Sequence, residues 1–254
     1  MISMETLHPD HKKSYTGESP GNHRNFDEHL LPEMCTVESG EFYCKNQSGR
    51  GIFIRKQLEH QVIMKAFRMA RYPVTQGLWT AVTGINPSFF TGERLPVENV
   101  SWNDVNVFIL QLNQITGKKY RLPTEAEWQY AAAGGNRSKG FIYSGSDILE
   151  QVGWFVENAS GSTHEVGMKA PNELGLYDMS GNVWEWCKDW YQEHYLDDGP
   201  VVHPKGPETG TEKVYRGGAW NREAVYCTVH NRCRNIPSYF HRHLGFRLVL
   251  DEKV

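Results

Sequence analysis

Apolar residues recur every three or four positions in the middle of this chain and every two positions toward both ends. Val105, Phe108, Ile109, Leu112 and Ile115 form one stripe behind Ser101, with an acid at Asp104 and a stop at Gly117. That pattern predicts an amphipathic helix opened by a capping box. Thr124, with Glu127 three residues on and Pro123 before it, opens a second helix carrying Trp128, Ala131 and Ala132 to Gly134-Gly135. A shorter helix runs from the cap Thr75 to Gly84, after which Asn86-Pro87-Ser88 turns the chain. Short strands are predicted at Thr36-Val37-Glu38, Glu41-Phe42-Tyr43 and Phe53-Ile54-Arg55. Further strands are predicted at Leu174–Tyr177, Val183–Trp186, Lys213–Arg216 and Phe246–Val249.

One stretch has neither period. Between Arg216-Gly217-Gly218-Ala219-Trp220 and Leu244-Gly245-Phe246-Arg247-Leu248-Val249 lie Arg222, Tyr226, His230, Asn231, Cys233, Arg234, Asn235, Ile236, Ser238, Tyr239, Phe240, His241 and His243. Tyr, Arg, His and Asn supply contact area and adaptable hydrogen bonds at interfaces, Tyr at low entropic cost. The mixture reads as side chains presented for binding by a frame built elsewhere. A polar terminal loop beside a final strand is the alternative reading of the same composition.

Composition narrows the choice. With 27 basic and 30 acidic residues among 254, the net charge is −3, without the basic footprint of a nucleic-acid binder. No run of eighteen apolar residues occurs. Residues 1–33 are polar and lack the apolar stretch of a signal peptide; they read as a leader or arm before a domain at 34–254. The five cysteines, Cys35, Cys44, Cys187, Cys227 and Cys233, show no zinc-ribbon spacing and are expected to be mostly free thiols.

Six ordered blocks carry a resemblance: Arg71–Gln76, Leu95–Trp102, Arg121–Trp128, Gly175–Trp186, Arg216-Gly217-Gly218 and Gly245-Phe246-Arg247. Together they resemble the formylglycine-generating-enzyme, or sulfatase-modifying-factor, family over roughly residues 35 to 250. The resemblance implies an α+β, C-type-lectin-like fold, rich in irregular structure, with two main helices and short antiparallel sheets. It also implies a catalytic Cys-x4-Cys pair after the Arg-Gly-Gly block. Here Arg222 stands at the first position and Cys227 at the second, and a soft copper ion needs both sulfurs. Fold does not carry the activity along with it.

The segment from about 216 to 250 also resembles the variable proteins of diversity-generating retroelements. In that group adenine replacement in Asn-type codons yields Tyr, His, Ser, Arg, Cys, Ile, Phe, Val or Thr, and never Lys, Gln, Met, Trp or Glu. Between Asn221 and His243 there is no Lys, Gln, Met or Trp. Glu223 is the exception and is assigned to the fixed frame with Ala224, Arg232 and Pro237. The expectation is a non-enzymatic, monomeric binding protein that requires no cofactor and recognises a protein ligand; the alternatives are a copper- and oxygen-dependent formylglycine-generating oxidase and a structural or partner-binding member of the same fold whose surface is not diversified. The resemblance points to the cell surface.

Two metal readings accompany it. Asp178, Gly181, Val183 and Glu185 offer two carboxylates and two backbone carbonyls, an oxygen set suited to calcium, and the family resemblance implies calcium there. Alternatively the two acids satisfy turn amides and an arginine such as Arg247. His241 and His243, with His230 and Cys233, suit zinc or copper, yet His is also an ordinary product of diversification. Trp79, Trp102, Trp128, Trp184, Trp186, Trp190 and Trp220 read as core and frame rather than a sugar-binding stripe, and Tyr226, Tyr239, Phe240 and His243 are expected to be exposed.

Overall fold

The computed structural model describes residues 26–45, 59–193 and 200–251. Residues 1–25 of the expected leader, and the strand expected at Phe53-Ile54-Arg55, lie outside the described residues. The end of the leader is part of the folded body, because Phe26, Leu30 and Leu31 pack against the core.

Three helices form where the caps place them. Helix α1 (Gln76–Thr83) is capped by the Thr75 side chain and closes on Gly84 in the left-handed conformation. Helix α2 (Trp102–Thr116) carries both arms of the Ser101/Asp104 capping box and ends at left-handed Gly117. Its stripe buries Val105, Phe108, Ile109 and Leu112, while Ile115 in the last turn is exposed. Helix α3 (Glu125–Ala132) has the Thr124/Glu127 box and buries every one of its residues, including Glu125 and Glu127. A helix buried all round must be covered on every side, so α3 is the centre about which the sheets are arranged. A fourth, single-turn helix, α4, spans Leu149–Val152.

Four strands, β1 (Met34–Val37), β4 (Phe67–Ala70), β5 (Tyr120–Arg121) and β11 (Val249–Asp251), form one antiparallel sheet in the order β1-β4-β11-β5. It ties the C-terminal strand to β4 and, through it, to β1. A second sheet, β10-β6-β8-β9, joins β6 (Trp184–Trp190), β8 (Lys213–Arg216), β9 (Arg232–Asn235) and β10 (Leu244–Gly245). A third joins β2 (Gly40–Lys45), β3 (Glu59–Met64) and β7 (Val201–Val202). The sheets are short as expected, but two pairs, β10–β6 and β3–β7, are parallel.

Two strand expectations need correction. Leu174–Tyr177 is a loop, since Leu174 and Leu176 donate their amides to the Asn172 side chain and not to a ladder. Phe246–Val249 is not one strand: the Phe246 and Leu248 carbonyls accept from Val74 and Ala70, and strand pairing resumes only at Val249. The core beneath is aromatic. Trp79 stacks on Phe108 at 4.8 Å between centroids, and both meet Phe246 edge-on.

Candidate binding surface

Two buried ion clusters fix the frame. Glu125, at the start of α3, receives Arg216 from β8 at 2.8 Å and Arg232 from β9 at 2.6 Å. Burial pushes the Glu125 carboxyl up, but the two guanidiniums outweigh it and hold the group below its ordinary range. Arg216 also donates to the Val229 and Asn231 carbonyls, so one arginine clamps the start of the unpatterned segment to the sheet. In the second cluster Glu185 accepts both arms of Arg247, at 2.6 and 2.7 Å, and the Trp128 indole at 2.7 Å. The turn between sheet and segment requires glycine. Gly217 and Gly218 have φ of 102° and 75°, and a Cβ on Gly218 would sit 2.4 Å from Cys227 Sγ.

From β9 onward the segment shows a pattern that its residue types conceal. Arg234, Ile236, Ser238, Phe240 and Arg242 are exposed, while Asn235, Pro237, Tyr239 and His241 between them are partly buried. This alternation extends past the strand through irregular backbone, which is anchored by Asn103 N–H donating to Pro237 O and Asn99 N–H to His241 O. Ile236 and Phe240 are 52% and 58% exposed, a costly placement for side chains of that size.

The other expected site residues divide. Arg222 is partly buried, and Tyr226, Cys233 and Tyr239 lean on the core. Cys233 Sγ donates to the Tyr215 hydroxyl. His230 Nδ1 lies 3.1 Å from Gln129 Nε2, and Asn231 Nδ2 donates to the Tyr226 carbonyl, so both face inward contacts. Arg234 pairs with Glu212 and lies over the Tyr191 ring. The expected exposure of His243 is wrong: only 2% of it is accessible. Its Nδ1 meets Asn221 Nδ2, its ring stacks on His241 at 3.9 Å, and burial, helped by His241 and the nearby Arg222 and Arg242, depresses its pKa to about 3. Tyr226 and Tyr239 are half-buried rather than displayed. Trp184, Trp220 and Phe246 are buried, as a frame requires.

Three members of the surface were missed. Phe89, 62% exposed, meets Phe90 edge-on; Phe90 in turn meets Trp220, and the Arg242 guanidinium lies over both Phe89 and Trp220. Their only sequence signal was a Phe-Phe pair directly after a turn, and an arginine between two histidines. Beneath them Glu98 is buried. Its Oε1 accepts the Phe89 and Phe90 amides at 2.6 and 2.9 Å, and burial raises its pKa to about 7.

The metal readings gain no geometry. His241 and His243 stack on a turn, not on one face of a strand, while His230 contacts α3 and Cys233 contacts β8. Among the described residues no three His, Cys, Asp or Glu side chains gather to hold an ion. Glu185 already accepts three hydrogen bonds. Asp178 accepts the Gly167 amide, and burial raises its carboxyl to about 6. As arranged, these donors fall short of the roughly six to eight oxygens calcium takes. Copper fares no better, since Arg222 occupies the first thiol position. Cys227 is enclosed by Leu149, Val152 and Phe155, with its thiol pushed by burial up to about 12.

An α+β domain of three short sheets around a buried helix, with a C-terminal segment hung between an Arg-Gly-Gly turn and a Gly-Phe-Arg stretch that links β10 to β11, is the C-type-lectin-like architecture of the formylglycine-generating type. The Sulfatase-modifying factor enzyme 1-like domain matches residues 21–252, and the chain belongs to that family. It is 32% identical over 239 residues to "Chaperone protein LppX" of Paenibacillus barcinonensis, covering 74% of this chain and 78% of that protein. It is 37% identical over 189 residues to the formylglycine-generating enzyme of Streptomyces coelicolor, covering 68% of this chain but only 58% of the enzyme. The solved structure of Treponema denticola variable protein 1 superposes with a TM-score of 0.77 at 31% identity, covering 86% of this chain and 95% of that one.

Proposed function

We propose that this chain is a non-enzymatic binding protein whose C-terminal surface recognises a protein ligand. The observation that carries the reading is the row of outward side chains Arg234, Ile236, Ser238, Phe240 and Arg242, unrelated in chemistry and held on a backbone fixed from below. Exposed Ile236 and Phe240 gain from being covered by a partner. The likeness to a variable protein supports diversification of this row, and a monomer displayed at the cell surface is the setting in which such a row would act. Oxidation of a cysteine substrate is disfavoured on chemical grounds. The thiolate is the reactive form, and the one thiol at the expected pair is buried with a raised pKa.

The test is selection from a random dodecapeptide library on the wild type and on an Ile236→Ser, Phe240→Ser variant. Peptides enriched on the wild type should be lost on the variant while both proteins melt within about 2 °C of each other, because exposed side chains contribute little to stability. Equal enrichment on both proteins would refute the reading.

A further inference from the structure

The arginines among the described residues are nearly all paired. Among the described residues Arg71, Arg94, Arg121, Arg137, Arg216, Arg232, Arg234 and Arg247 each have a carboxylate partner. Arg222 and Arg242 make no ion pair and no side-chain hydrogen bond among the described residues, and both belong to the candidate surface. Arg68, the remaining such arginine, lies on β4 in another sheet.

Arg242 has aromatic surroundings. Arg242 lies 5.3 Å from the Phe89 ring centre and 5.7 Å from that of Trp220, which leaves its in-plane N–H donors free for a planar anion. Arg222 is in electrostatic reach of Tyr215, Tyr239 and His243, and His243 also feels Arg242. The nearest counter-charges are committed or apart. Glu98 feels Arg242 electrostatically but forms no ion pair with it, its Oε1 being given to two backbone amides and its pKa raised by burial, and Glu223 forms no ion pair with Arg222 among the described residues. Of the four arginines in residues 221–243, Arg232 and Arg234 are neutralised by Glu125 and Glu212, which leaves Arg222 and Arg242 against the single acid of the segment, Glu223, in a chain whose net charge is −3. That local reversal of sign, rimmed by exposed Phe89, Ile236 and Phe240, is the complement of carboxylates set among apolar side chains.

Resting on the binding reading above, we infer that this surface takes an acidic segment of its protein partner, with Arg222 and Arg242 each receiving a carboxylate and the exposed aromatics covering the apolar residues between. A nucleic acid would need a continuous basic footprint along its backbone, and two guanidiniums on an acidic chain do not supply one.

The experiment sequences the peptides enriched from the same dodecapeptide library and repeats the selection on an Arg222→Gln, Arg242→Gln variant and an Arg222→Lys, Arg242→Lys variant. Thermal melts confirm that all three proteins fold. Enriched peptides should be rich in Asp and Glu. A synthetic member should bind about tenfold or more tighter than its Asn/Gln counterpart, a preference lost on the Gln variant, partly kept on the Lys variant, and weakened by raising the salt. Peptides without acidic enrichment that still require Ile236 and Phe240 would overturn this inference and leave the binding reading standing. Peptides that need neither pair of residues would overturn both. A 20-nucleotide single-stranded DNA bound as tightly as the acidic peptide, and lost on the Gln variant, would overturn the protein ligand.

Discussion

Glu125→Gln should be among the most damaging single-atom changes available to this protein. Glu125 is fully buried and its two oxygens serve Arg216 and Arg232, both with fully buried side chains. Glutamine keeps the volume and one acceptor but turns an N–H pair toward one guanidinium, donor against donor. Two cations then remain in the interior without the carboxylate they share. Removing one partner of a buried ion pair costs about 3–5 kcal/mol. For a domain of this size each kcal/mol moves the melting temperature by roughly 2–4 °C, so a fall of about 6–20 °C is expected. The sign with pH follows from the lowered carboxyl pKa. The stabilisation is present above the unfolded-state value and is lost as pH falls through the folded one. The gap between wild type and variant should therefore be widest near neutrality and shrink in acid. Calorimetry or circular-dichroism melts from pH 4 to 8 measure it. A drop under about 2 °C at pH 7, or a gap that widens in acid, would sink the claim that this carboxylate holds the frame of the C-terminal segment.

Two further outcomes are expected. Glu98 has its pKa raised from 4.5 to about 7, so the folded state binds the extra proton between those values and stability declines as pH rises through that window; a Glu98→Gln variant should lack the decline, and parallel curves for the two proteins would contradict the assignment. Chelation of calcium should leave the melting temperature unchanged, because Asp178 and Glu185 are engaged by Gly167 and by Arg247 with Trp128. A fall on adding chelator, restored by calcium, would show ligand linkage and reinstate that ion.

The local signals in the sequence were sufficient wherever a few neighbouring residues decide the outcome. Thr75, Ser101 and Thr124 cap helices because a side-chain oxygen three residues before an amide needs no distant partner. The Arg-Gly-Gly turn was legible for the same reason, since its glycines adopt positive φ. The identity of the frame was legible too, in the order of its blocks and in the arginine standing where a thiol would be required. What the sequence left open depends on residues far apart in the chain. Glu125 in α3 carried no signal of its own in the sequence, and only β8 and β9 bring Arg216 and Arg232 to it, from 91 and 107 residues away. His243 looked like one more displayed ring, but the turn after Arg242 folds it under His241 and against Asn221. Exposure in the segment from Arg234 to Arg242 alternates although polarity does not, because that alternation is imposed by backbone bonds from Asn99 and Asn103 and not by the hydrophobicity of the side chains. Phe89 and Arg242 became one surface only when tertiary structure laid the guanidinium over the ring.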